Sequence, residues 1–233
     1  DSKEDTADKI PPDREVKVPF YRQRAGVIAI TAVVLVVTFI GYWFYQQHYN
    51  PINVLNKKGI PYTEDAFFNA IKTGDESTVN LFFAAGMNAN QTKQDTGETP
   101  AIVATEAGQI ISIKLLISHG SDLLLQDQKG RTPVNIAIKQ GNIEILKLLM
   151  NQLKLTPDTK DSTGQTLMEK ACASGNITSV KFFIEQGGDI NILDSQGNTI
   201  LDRMLVEGKD SIAQVLKNAG AKRPLPKVQA LRQ

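Results

Sequence analysis

Two histidines and one cysteine are the side chains of this 233-residue chain best suited to nucleophilic, general-base or zinc chemistry. His48 follows a long apolar run, His119 immediately precedes Gly120, and Cys172 sits in the stretch EKACASG. None has a sequence neighbour able to activate it. The histidines therefore read as interface or surface groups, and Cys172 as a small buried packing thiol. Two histidines and one cysteine fall short of the four ligands of a structural zinc site, and none lies at a metal-binding spacing from another. There is no glycine-rich phosphate loop, no serine elbow and no metal-spaced carboxylate cluster. Gly187-Gly188-Asp189 reads as a helix end and a turn rather than a dinucleotide fingerprint. The expectation is a chain with no catalytic residue, no metal and no cofactor: not an enzyme.

Charge narrows the partners. Lys and Arg number 26 against 25 Asp and Glu, a net charge of +1, so no chain-wide basic field exists to collect nucleic acid. With one cysteine, an intramolecular disulfide framework is excluded. No small-molecule substrate is implied either.

The elements that would carry a binding face repeat. Thr99, Thr132, Thr166 and Thr199 are spaced 33, 34 and 33 residues apart, and nine residues after each stands a glycine: Gly108, Gly141, Gly175 and Gly208. Twelve residues further on come Gly120, Gly187 and Gly220, with Leu153 breaking the series in the third unit. Gly74 and Gly86 extend the pattern back to a unit starting near Asp65, which lacks the threonine. Asp-x-x-Gly turns (Asp127–Gly130, Asp161–Gly164, Asp194–Gly197) precede the threonines, and each threonine is placed to cap a short helix, with Pro100 and Pro133 in the first helical position. Apolar pairs such as Leu115/Leu116, Leu148/Leu149 and Phe182/Phe183 mark a second helix. One such helix pair cannot bury its own apolar face, so units must stack. The pattern predicts an all-α solenoid of five helix-turn-helix units over residues 63–221.

GETPAIVATEAGQIISIKLLISHGSDLLLQD and GRTPVNIAIKQGNIEILKLLM resemble ankyrin repeats. The sequence departs from that family at the histidine of its Thr-Pro-Leu-His stretch, where Phe68, Ile102, Asn135, Glu169 and Asp202 stand. In the family this histidine hydrogen-bonds between units, so the departure implies a less stable array. Leu167 and Ile200 replace proline, and Met150–Asp161 reads as an irregular hinge. The resemblance implies a protein partner lying across the turn tips and the exposed faces of the first helices. Four and seven residues after each helix start stand Asn69, Lys72, Val103, Glu106, Ile136, Lys139, Lys170, Ala173, Arg203 and Val206. Four cations against one carboxylate, with Val103 and Ile136 adding apolar contact, suit an acidic or mixed partner segment; the alternative is a solvated helix face.

One segment lies outside the repeats. Ala25–Tyr45 (AGVIAITAVVLVVTFIGYWFY) is uncharged over 21 residues, and at about 1.5 Å per residue a helix of that length covers a bilayer's hydrocarbon core of roughly 30 Å. Phe20 and Tyr21 flank one end and Tyr42, Trp43, Phe44 and Tyr45 the other, as membrane interfaces favour. A buried core helix would need surroundings the rest of the chain does not offer. A cleaved signal peptide would need a small-residue cleavage site, whereas bulky aromatics follow. The expected arrangement is a disordered tail (1–24), a transmembrane helix in contact with the lipid bilayer (25–45), a linker (46–62), the repeat domain (63–221) and a basic tail (222–233). Arg14, Lys17, Arg22 and Arg24 precede the span while only Lys57 and Lys58 follow it closely, which favours a cytoplasmic N-terminus and a translocated repeat domain, periplasmic in a bacterium. The functional expectation is a membrane-anchored accessory or scaffold subunit of a membrane protein complex. The alternative is a periplasmic inhibitor or immunity protein that blocks a toxin or lipase.

Overall fold

Most of the short helices are closed at the start by a side chain, Ile110–Ser118 and Asp210–Asn218 excepted. The threonine hydroxyls of Thr99, Thr132, Thr166 and Thr199 accept the backbone N–H three residues on, at 3.2, 3.3, 3.1 and 3.2 Å, satisfying donors that a helix start leaves unpaired. At Thr166 and Thr199 the bond is reciprocal: Glu169 and Asp202 reach back to the cap's own N–H at 2.8 and 3.2 Å. The computed structural model describes residues 20–194 and 196–222; of these, the side chains of 20–27, 29, 30 and 48 lie outside the described residues, as do most of the expected N-terminal tail and the basic tail beyond Lys222.

Twelve helices occur among the described residues: α1 (Phe20–His48), α2 (Pro51–Lys57), α3 (Glu64–Thr73), α4 (Glu76–Ala84), α5 (Pro100–Glu106), α6 (Ile110–Ser118), α7 (Pro133–Gln140), α8 (Ile143–Leu153), α9 (Leu167–Ser174), α10 (Ile177–Glu185), α11 (Ile200–Val206) and α12 (Asp210–Asn218). No strand is present among those residues; Lys160–Thr166 and Leu193–Thr199 form isolated bridges at turn bases. Helices α3, α5, α7, α9 and α11 stack as one layer, and α4, α6, α8, α10 and α12 form the other. Between the layers lies a continuous core that includes the fully buried Phe67, Phe82, Ile113, Leu149 and Phe183, each stabilising by about 1.5–3 kcal/mol on burial. The layers are sewn across units by hydroxyls. Ser112 Oγ donates to the Ile71 carbonyl at 2.8 Å, and Ser179 Oγ to that of Ile138 at 2.6 Å.

Three local readings change. The first unit does have its threonine: Thr63 caps α3 through the Ala66 N–H at 3.3 Å, two residues before the start expected near Asp65, because α3 is ten residues long where α5 has seven. Leu153, standing at an expected glycine, lets α8 run to eleven residues, and the left-handed position passes to Lys154 at φ 54°. The stretch expected as a linker contains α2. Asn50 caps it, accepting from Ile52 N at 3.0 Å, and Leu55 is fully buried in the core. Tyr62 follows, stacking on Phe82 at 5.8 Å and donating its hydroxyl to the Ala85 carbonyl at 3.1 Å.

Helix α1 spans 29 residues and contains the segment expected to be apolar. Every described side chain from Thr31 to Tyr45 is exposed, Phe39 to 69% and Trp43 to 54%. Among the described residues no helix is long and apolar enough to cross a membrane, where the sequence led to a transmembrane helix over 25–45. At its far end α1 is tied to α2: Asn50 Nδ2 donates to Gln46 Oε1 and Lys57 Nζ to the Gln47 carbonyl, both at 2.5 Å, and Asn53 Nδ2 donates to the Gln46 carbonyl.

Candidate functional site

The first-helix layer exposes its polar face along one side of the stack, and the middle of that face is concave. Glu106, Ile136 and Lys139, all expected there, line a cleft of about 520 Å³ together with Arg131, Asn135 and Gln140. Lys139 and Asn135 continue into a neighbouring hollow with Lys170 and Ala173. Ile136 forms a floor, only 6% exposed, with its edge towards the cleft. Val103, buried to the same degree, lines neither hollow: it belongs to the core cluster, with α5 packed between α3 and α7. The expected apolar contact from Val103 is thus corrected. Asn69 and Lys72 lie exposed at one end of the row, and Val206, 88% exposed, at the other.

The expected surplus of four cations over one carboxylate shrinks once partners are seen. Lys170 Nζ pairs with Asp161 at 2.6 Å and donates to Asn135 Oδ1 at 3.2 Å. Arg203 pairs with Glu169 of the preceding unit at 2.9 Å. Lys72 and Lys139 have no carboxylate partner among the described residues.

Sequence reasoning missed Arg131. Its guanidinium meets Asp127 at 2.6 Å, Glu98 at 3.2 Å and Glu106, fastening the second unit to the third. Burial pushes the Asp127 carboxyl up, but hydrogen bonds from Arg131 and from the Lys129 N–H outweigh it and hold the group below the ordinary carboxylate range. The Asp127 hydrogen bond in turn raises Arg131. The available signal was spacing: Glu98 and Arg131 precede their capping threonines by one residue each, one repeat apart and opposite in charge.

The groups first considered for chemistry sit elsewhere. Cys172 is fully buried, and desolvation pushes its thiol up to about 12, so it carries no thiolate at neutral pH. His119 stacks on the Phe83 ring at 4.0 Å, joining the ends of α4 and α6. No group of three His, Cys, Asp or Glu side chains placed to hold a metal occurs among the described residues. What the face offers is hydrogen bonding, two unpaired cations and a shallow apolar floor.

Residues 67–161 match the family described as "Ankyrin repeats (3 copies)", and residues 163–192 match "Ankyrin repeat". The chain belongs to the ankyrin-repeat family. It is 36% identical over 89 residues to mouse "ARF GTPase-activating protein GIT2", covering 38% of this chain and 13% of that protein. It is 29% identical over 156 residues to mouse "Rabankyrin-5", covering 66% of this chain and 13% of the relative. A "Putative ankyrin repeat protein" of Rickettsia felis is 26% identical over 134 residues, 57% of this chain and 44% of the relative. The match thus spans about an eighth of either mouse protein, and it supports a protein-interaction module rather than any activity of those whole proteins.

The ankyrin array makes up for its missing histidines at two junctions. Asn135 accepts from Lys170, and Glu169 pairs with Arg203, each across one unit boundary. Asp202 is taken up by its own capping box. Ile102 is fully buried. In the first unit the Thr63 cap bonds Ala66, leaving Phe68 as a core residue, 3% exposed.

Proposed function

We propose that the chain is a membrane-anchored protein-interaction module, an accessory or scaffold subunit that docks its ankyrin face on a protein of a membrane complex. One observation carries the reading: α1 exposes apolar side chains on all sides through Thr31–Tyr45 and joins the solenoid through the buried Leu55 of α2. In water such a helix would present an extended apolar surface with no cover. With residues 25–30 included, the uncharged run reaches bilayer length. The Lys/Arg balance supports a cytoplasmic N-terminus, with the ankyrin domain in the periplasm of a bacterial inner membrane. Anchoring raises the effective concentration of the face beside its partner, so a modest affinity suffices.

The test is isolation of the full-length protein from native membranes in mild detergent, with mass spectrometry of what remains bound. A stoichiometric set of integral membrane proteins is expected, and Lys72→Glu with Lys139→Glu should lower their recovery at least several-fold. Recovery of the wild-type chain alone, or with one soluble enzyme as an inhibitor would give, overturns the accessory-subunit reading.

A further inference from the structure

Successive turn tips in this solenoid are bonded by a repeating device. Asn90 Oδ1 accepts the backbone N–H of Asp122 at 2.7 Å, Asp158 Oδ1 that of Asp189 at 2.9 Å, and Asn191 Oδ1 that of Lys222 at 2.8 Å. Spaced 34 residues from both Asn90 and Asp158, the second tip carries Leu124 in place of an acceptor. That leucine is 60% exposed. The Thr156 N–H, which matches the donors of Asp122 and Asp189, turns instead to Thr159 Oγ1 within its own tip at 2.9 Å. No hydrogen bond joins the tips 120–132 and 154–166 among the described residues, whereas the tips 86–99 and 120–132 share several, including Gln128 N to the Thr96 carbonyl at 3.1 Å.

Where the rung is missing, a cleft of about 510 Å³ opens. Leu124, Val134, Leu155 and Leu167 line it, and Lys160 and Lys170 stand among its polar walls. Asn135 and Lys170 also line the hollow that leads on to Lys139. Of the cations around this joined surface, Lys170 is held by Asp161, while Lys139 and Lys160 have no carboxylate partner among the described residues.

We propose that this cleft is an anchoring pocket for an extended, acidic segment of the partner protein, one aliphatic side chain entering between the two tips and flanking carboxylates meeting Lys139 and Lys160. The inference rests on the protein-interaction reading above and adds the chemistry of what is bound. Charge complementarity chooses the occupant: the lining is aliphatic and its unpaired rim is positive. A leucine in place of the rung's acceptor exchanges a contact between units for an apolar surface facing outward, as expected where stability is given up for binding.

Leu124→Asn separates the possibilities, because it supplies the acceptor found at the other three tips. In the full-length chain in detergent, methyl NMR would follow Leu155 and Leu167 during titration with the capped peptide Gly-Asp-Leu-Asp-Leu-Gly and with its counterpart carrying Lys for Asp. The acidic peptide should shift both methyl groups saturably and bind at least fivefold more tightly than the lysine one. Leu124→Asn should keep or raise the melting midpoint while weakening the acidic peptide at least fivefold. Absence of methyl shifts, equal binding of the two peptides, or undiminished binding to Leu124→Asn overturns the proposal. If native membranes yield partners for wild type and variant alike, the cleft assignment fails while the accessory-subunit reading stands; if they yield none for wild type, that reading fails and the titration still decides the cleft.

Discussion

Three aspartates close their turns by the same bonds. Asp127 accepts from the backbone of Lys129 and Arg131 at 2.9 and 2.8 Å, Asp161 from Thr163 and Gln165 at 2.7 and 3.1 Å, and Asp194 from Gln196 and Asn198, both at 2.9 Å. All three carboxyls are held below their ordinary range; at Asp127 and Asp161 burial pulls the other way but is outweighed by these bonds and by Arg131 or Lys170. A carboxyl whose folded value lies below the unfolded value of about 3.9 contributes stability that is fully present above roughly pH 4. That contribution is lost as pH falls through the folded values. The solenoid should therefore keep a flat midpoint from neutral pH to about 5 and lose stability steeply below 4. Asp127→Asn, measured by thermal denaturation across that range, should be less stable at pH 7 yet show a shallower acid limb; an unchanged slope would remove Asp127 from the cause. The turns themselves were legible, since Asp-x-x-Gly before a threonine has a local mechanism. The Arg131 cluster was not: Asp127 lies in the same turn, but Glu98 and Glu106 belong to the preceding unit and meet Arg131 only when the units stack.

At the scale of elements, α2 shows why a short helix escapes periodicity. Seven residues make two turns, too few for a 3.6-residue pattern to declare itself, and Pro51 and Pro61 punctuate the stretch as they would a loop. Its place is clear only in three dimensions: it lies against α4 in the second-helix layer and covers the end of the array with Leu55 inside and Asn53, Lys57 and Lys58 facing outward or bonded. Solenoids require such polar-faced caps. Leu55→Ala should therefore cost about 2–5 kcal/mol, the range for truncating a fully buried leucine, despite lying outside the repeats. Chemical denaturation of the full-length chain would measure it, and a loss under 1 kcal/mol would demote α2 to a spacer. The long helix α1 was readable for the opposite reason: 21 uncharged residues need no context to be recognised as one element. The exposed first-helix face was only half readable: Glu106, Ile136 and Lys139, chosen by spacing, line one cleft, but spacing could not tell that Val103 packs in the core or that Lys170 and Arg203 are already paired.

For the whole molecule, stability is close to a sum of unit terms and nearest-neighbour terms, so the weakest junction decides how it comes apart. Between the first and second units Ser112 bonds across, and the second unit is fastened to the third by the Asn90 and Gln128 tip bonds and by Arg131. Between the third and fourth units the tip bonds are absent, with Ser179 and Lys170 left to carry the polar contacts in the helix layers along with the Asn176 bond to the Lys139 carbonyl. Each missing bond weakens that junction by on the order of 1 kcal/mol. Beside it the chain also holds Lys154 at a positive φ, a conformation costing a residue with a Cβ about 1–2 kcal/mol. The first unit's open end, moreover, is covered by α2. Two-stage unfolding follows: in rising urea, amide protection should be lost first over α9–α12 and only later over α3–α8, and Leu124→Asn should draw the two stages together. Hydrogen-exchange mass spectrometry resolves the two halves directly, and loss of protection in all units at one urea concentration would show that the junction without its rung is as strong as the rest.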